Sequence, residues 1–187
     1  MVCHGNFNLD EKTRRSWYDS EAILEAIGLV DGMTFVDVGC GSGFFSVLAA
    51  KIVGKKGKVY AVDVDELAIE RLLQKAKDEG LQNIEAKAAP AEETVFCKGC
   101  ADIVFFSMVL HDFADPAKVL SNARQMIKLE GSLVDLDWKK QEMPFGPPEK
   151  IRFSESKVSD LLEAAGFTVE SVAIGKYHYV ITGKPIP

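Results

Sequence analysis

The stretch FVDVGCGSGFF, residues 35–45, sets Gly39, Gly41 and Gly43 within five residues, directly after an apolar run that ends in Asp37. Glycines this dense strip side chains from a turn, so that a ligand can lie against bare backbone. The run MTFVDV before the turn reads as a buried strand, and GFFSVLAAKIVG after it as a helix. The alternation continues outward. KVYAVDV is a second strand, and DELAIERLLQKAKDEG a helix with Ile69, Leu72, Leu73 and Ala76 on one face and Gly80 as its stop. NIEAKAA is a weaker strand, and ADIVFFSM has the unbroken apolar character of a central parallel strand. Asp115 and Pro116 open a helix expected to run to Gly131, and SLVDLDW is the fifth strand.

Beyond the proline-rich QEMPFGPPEK, Ser154 can cap a helix with Val158, Leu161, Leu162 and Ala165 on one face, stopped by Gly166. FTVESVAI and YHYVITG flank Gly175-Lys176, which reads as a tight antiparallel hairpin. The expected fold is α/β: a doubly wound, Rossmann-like seven-stranded sheet, mostly parallel, with one antiparallel strand in a C-terminal hairpin. Residues 1–187 are read as a single domain, with 1–19 an N-terminal arm.

Composition bounds the function. The 187 residues are 47% hydrophobic and 27% charged, which suits one ordinary globular core. A net charge of −6 argues against a broad nucleic-acid footprint. The run ADIVFFSMVL is about half the span a bilayer needs, so no membrane partner is expected. The start MVCHGNFNLDEKTRR has no apolar signal core, and a cytoplasmic location is expected. Cys3, Cys40, Cys97 and Cys100 are no disulfide framework for a chain of this size. The CKGC pair, Cys97 and Cys100, sits in a loop before a strand and reads as a surface turn able to oxidise, with no metal expected.

In a doubly wound sheet, ligands bind beyond the carboxyl ends of the strands at the switch point. A dinucleotide fingerprint wants G-x-G-x-x-G, whereas the spacing here is G-x-G-x-G. Asp37, two residues before the first glycine, would repel a pyrophosphate and suit a positively charged amino-acid tail. Asp63, 24 residues after Gly39 at the end of the second strand, can accept both hydroxyls of a ribose. Asp65 is the better helix cap, which leaves Asp63 for the ligand.

VDVGCGSGFFS, VYAVDVD and ADIVFFSMVLHDFADPAKVLSNARQMIKLEGSLVDLDW resemble successive motifs of the class I S-adenosylmethionine-dependent methyltransferases. The resemblance runs from about Trp17 to the C-terminus. It implies that Gly39, Cys40 and Gly41 pass under the methionine tail of the cofactor, with Asp37 near its amine. It implies that Asp63, with Val64 beside it, holds the ribose, and that Ser107 offers backbone at the end of the fourth strand. The family often has an Asp-Ala pair after the third strand. Here Pro90 stands where that Asp would be, so the adenine falls to the backbone of Ala91 and in part to Glu92.

Methyl transfer needs alignment above all, and at times removal of a proton from the acceptor. His111 and Asp112, after the fourth strand, are the titratable pair expected at the same edge as the glycine turn. Arg14, Trp17 and Tyr18 in the arm are read as a lid or acceptor wall. Cys40, inside the turn, is read as a small packed residue. The expectation is an enzyme methylating a small molecule. Protein or RNA methylation, a nicotinamide-dependent oxidoreductase and a non-catalytic cofactor-binding module are the alternatives.

Overall fold

The computed structural model describes residues 19–172 and 176–187. Helix α1 (Ser20–Ala26) is capped by Asp19, whose carboxylate accepts the N–H groups of Glu21 and Ala22. Strand β1 (Thr34–Val38) runs into the glycine turn and helix α2 (Phe44–Val53) leaves it. β2 (Lys58–Asp63), α3 (Glu66–Asp78) and β3 (Ile84–Ala88) complete the first half. β4 (Ala101–Ser107), α4 (Pro116–Met126), β5 (Ile127–Trp138), α5 (Glu155–Ala164), β6 (Phe167–Val172) and β7 (His178–Pro185) follow.

The strands form one seven-stranded sheet in the order β3-β2-β1-β4-β5-β7-β6. β1 to β5 are parallel, and β7 runs antiparallel to both β5 and β6. The fold expected from the sequence is the fold observed. Chain direction across the sheet reverses between β1 and β4, which places the switch point at the glycine turn.

Each face of the sheet has its own core. Ile23 and Leu24 of α1 and Phe44, Phe45 and Leu48 of α2 pack on Phe35, Phe105 and Val134. On the other face, Val119 and Leu120 of α4 and Val158 and Leu162 of α5 cover Val36, Val104 and Leu133. Burial of this kind is worth roughly 1.5–3 kcal/mol per large apolar side chain. Among the described residues, no helix is long and apolar enough to cross a membrane.

Two expectations of detail are corrected. On α3 the buried face is Ala68, Ile69, Leu72 and Ala76, while Leu73 is exposed. Ala68 and Leu72 are four apart, and one step of rotation puts Leu73 on the solvent side. Helix α4 ends at Met126, not at Gly131, because Ile127 already pairs with Ala101 on β4. The N–H groups of Gly99 and Cys100 take the carbonyls of Gln125 and Met126, closing the helix from the CKGC loop. Cys97 and Cys100 are joined in that loop as a disulfide. The two-residue turn expected at Gly175-Lys176 falls partly outside the described residues. β6 stops at Val172 opposite Val180, while β7 begins at His178 because His178 and Tyr179 pair with β5. Residues 173–175 lie outside the described residues.

Candidate functional site

The carboxyl end of β1 is bent back onto β2: the N–H groups of Gly39 and Cys40 both reach the carbonyl of Val62, at 2.8 and 3.1 Å. Gly39 has φ +73°, and a Cβ there would stand 2.5 Å from Cγ2 of Val109. The loop after β4 therefore closes directly on this backbone. Gly41, at φ +52°, is different. A Cβ there would meet nothing within 4 Å, so its α-carbon faces open space at the strand ends.

Asp63 ties the turn to the end of β2. Its Oδ2 accepts the N–H of Gly41 at 2.8 Å and its Oδ1 the N–H of Asp65 at 3.0 Å. Asp65 caps α3 as expected, accepting from Leu67 and Ala68, but it does not leave Asp63 idle. An ionised carboxylate has about four lone-pair sites, so each oxygen of Asp63 retains capacity for a further donor. Gly39, Val62, Asp63, Val64, Ala91 and Phe113 border a small cleft at this point. It is an apolar slot with one carboxylate at its edge.

The other expected contact residues stand in the glycine turn or at and just beyond the carboxyl ends of β1 to β4. Asp37 is buried under the turn, where Oγ of Ser46 donates to it at 2.5 Å. Cys40 is buried as well; burial, then Asp37 and Asp63, hold its thiol well above the usual range, as suits a packed residue and not a nucleophile. Val64 is exposed at the rim. The segment Pro90 to Thr94 forms a short turn, with Asn122 of α4 donating to the carbonyls of Ala91 and Glu92 at 3.0 and 2.8 Å. The carbonyl of Ala91 is thus engaged by the protein itself, a brace with no signal in the sequence. Ser107 ends β4 with a buried hydroxyl that has no partner among the described residues. The next residue, Met108, has φ +56°, which is strained for any residue but glycine. Arg14, Trp17 and Tyr18 lie outside the described residues.

These features fit a nucleoside with an amino-acid tail. An open approach over Gly41, a carboxylate beside an apolar slot, and an unsatisfied hydroxyl at the end of β4 are what such a molecule requires. The methyltransferase-domain model matches the chain over residues 29–179. The chain belongs to the S-adenosylmethionine-dependent methyltransferases. Among solved structures, this family member resembles a SAM-dependent methyltransferase from Aquifex aeolicus, with 35% identity, 94% of each chain covered and a TM-score of 0.89. The demethylmenaquinone methyltransferase of Bacillus subtilis (strain 168) is 29% identical over 129 residues, which are 69% of this chain and 54% of that one. A probable cobalt-precorrin-6B C(15)-methyltransferase (decarboxylating) of Pyrobaculum aerophilum is 55% identical over 47 residues, 25% of this chain and 24% of that one. The chain thus spans about half the length, or less, of these two curated relatives.

In this family member, the titratable pair expected after β4 has a further partner. His111 sits in the short turn Leu110–Asp112 after β4. Its Nδ1 lies 2.7 Å from Oδ2 of Asp137 on β5, whereas its Nε2 is 3.7 Å from Oδ1 of Asp112. The partner of His111 is therefore Asp137 first and Asp112 second. Burial disfavours charge on the ring, but the hydrogen bond and charge of Asp137, with Asp112, outweigh it and raise His111 above 6.5; Arg152 opposes them. Arg152 itself is 3% exposed and spans the carbonyls of Pro147, Lys139, Gln141 and Phe145, knitting the proline-rich segment together. Its guanidinium lies over the ring of Trp138.

Asp135, two residues before Asp137, is fully buried, and neither carboxylate oxygen has a hydrogen-bond partner among the described residues. Burial, then the charge of Asp137, holds its carboxyl well above 3.8. The folded chain therefore keeps a proton there that the unfolded chain loses above about pH 4. This contribution is present at low pH and drains away as pH rises. Asp135→Asn, which cannot titrate, should match the unmodified protein near pH 4 and gain on it at higher pH, by up to about 1.4 kcal/mol per pH unit. Thermal unfolding across pH 4–8 checks this, and a pH-independent difference would contradict it.

Proposed function

We propose that the protein transfers the methyl group of S-adenosylmethionine to a small-molecule acceptor. The observation that carries this reading is the Gly39–Gly43 turn, braced through Gly41 by Asp63 at the carboxyl ends of β1 and β2. The bound cofactor supplies an electrophilic methyl group on a sulfonium, open to in-line displacement. The work of the chain is to hold and align.

Gly39 and Gly41 offer backbone to the amino-acid tail, and the charge of Asp37 beneath them suits its ammonium group. Asp63 receives the ribose hydroxyls on its remaining lone pairs, with Val64, Ala91 and Glu92 flanking the base. Ser107, at the end of β4, offers its backbone to the cofactor and has a hydroxyl free to bond it. His111 and Asp112 serve the acceptor. The names of the two curated relatives, a demethylmenaquinone and a precorrin methyltransferase, support a small acceptor, and the net charge of −6 speaks against nucleic acid.

Titration calorimetry should show heat with S-adenosylmethionine and with its demethylated product, and none with NAD or NADP. In cell extract, methyl-labelled cofactor should then yield label in the small-molecule fraction. Tight NAD binding would overturn the cofactor assignment. Label in RNA or protein would overturn the acceptor class.

A further inference from the structure

Strand β5 is apolar through its second half except for Asp135 and Asp137, which alternate onto one face of the sheet. Asp137 is gripped from two sides. Its Oδ1 accepts the N–H of Trp138 at 2.7 Å, and its Oδ2 faces Nδ1 of His111 at 2.7 Å. The imidazole is 2% exposed and the carboxylate 1%, while the side chain of Asp112, on the far side of the ring, is 22% exposed. A carboxylate can only accept in such a contact, so the ring proton belongs on Nδ1.

We infer that Asp137 is a positioning residue: it fixes Nδ1 as the protonated nitrogen of His111 and turns the Nε2 lone pair toward the partly exposed Asp112. The inference rests on the methyl-transfer reading and adds an order to it. The ring of His111 is too covered to meet an acceptor, so Asp112 is the group that does. A proton leaving the acceptor, its bonding electrons staying behind, passes from the Asp112 carboxylate to Nε2. Nδ1–H stays on Asp137 throughout, and the imidazolium so formed lies between two carboxylates. The charged groups facing the ring are Asp137 from β5, Asp112 from its own turn and Arg152 from the turn before α5. Phe153 closes the remaining side, its ring centre 6.5 Å away. Asp135, holding its proton, leaves Asp137 as the acid of β5 that speaks to the ring.

Nitrogen-15 NMR of histidine-labelled full-length protein without cofactor tests this directly, with the His111 signals identified by their loss in His111→Gln. At high pH the neutral ring should carry its proton on Nδ1, and its titration midpoint should lie above 6.5. In Asp137→Asn the midpoint should fall and the two tautomers should mix. In Asp112→Asn the midpoint should fall less and the Nδ1–H form should persist. A neutral Nε2–H ring in the unmodified protein overturns the inference without need of any variant, so the test survives if Asp137→Asn fails to fold. An unchanged titration in a folded Asp137→Asn overturns it too. With acceptor in hand, the rate limb that rises with pH should move to lower pH in Asp137→Asn while cofactor affinity holds. A loss of rate at every pH with no shift of the limb would make Asp137 merely structural. Failure of the methyl-transfer reading looks different: the NMR results stand, but calorimetry shows no S-adenosylmethionine binding.

Discussion

Gly41→Val is expected to fold and to lose cofactor binding, with affinity down by about a hundredfold or more, equivalent to about 2.7 kcal/mol. A Cβ at this position meets no protein atom within 4 Å, so the folded chain has room for it. The cost to the free protein is conformational, because φ is +52° and a branched residue resists that region. That strain is about 1–2 kcal/mol, and it should lower the melting temperature by only a few degrees. On the proposed function, the space the side chain enters is the space the cofactor needs. Gly39→Val makes the contrast, since its Cβ would lie 2.5 Å from Val109 and the fold itself should suffer. Thermal melts and calorimetry on the two variants separate the roles. A Gly41→Val protein that binds S-adenosylmethionine normally would remove the turn from the site.

Asp63→Ala should fail twice over. The variant deprives Gly41 and Asp65 of the carboxylate that their N–H groups use. Hydrogen bonds to a charged acceptor are worth roughly 1.5–3 kcal/mol each, so stability should fall measurably. The ribose hydroxyls lose their acceptor as well, which corresponds to about a ten- to hundredfold loss of affinity. Asp65→Ala removes only the cap of α3, with a cost near ~1 kcal/mol and affinity almost intact. Chemical denaturation with calorimetry on both variants decides it. If Asp65→Ala loses the cofactor and Asp63→Ala keeps it, the end of β2 has been misassigned.

The parts of the molecule that could be read in advance are those encoded locally. The glycine turn, the Asp115-Pro116 helix start and the apolar run of β4 each carry their signal within a few residues, and each stands where the reading put it. What escaped depends on partners far away in the chain. Gly131 looked like a helix stop, but α4 had already yielded at Met126 to the pairing of Ile127 with Ala101. The partner of His111 was sought next door at Asp112, and it came from residue 137, on a strand 26 positions on. One signal was available: two acids at alternate positions of VDLDW, a strand end otherwise apolar, require a reason to be buried. Asn122 and Arg152 gave no such sign, because an amide or guanidinium on a helix or loop says nothing of which carbonyls it will find.

The knot tied by Arg152 bears on how such a protein diversifies. One guanidinium anchors the backbone of the segment from Lys139 to Pro147 from within, through four carbonyls, and carbonyls are indifferent to the side chains around them. Lys140, Gln141, Glu142 and Pro144 are exposed on that anchored frame, with the amide of Gln141 reaching the carbonyl of Lys176. Residues at those places can be exchanged by drift or by selection while the trace of the segment stays as it is. A library randomised at these four positions should therefore consist mostly of folded proteins, whereas replacing Arg152 alone should collapse that tolerance.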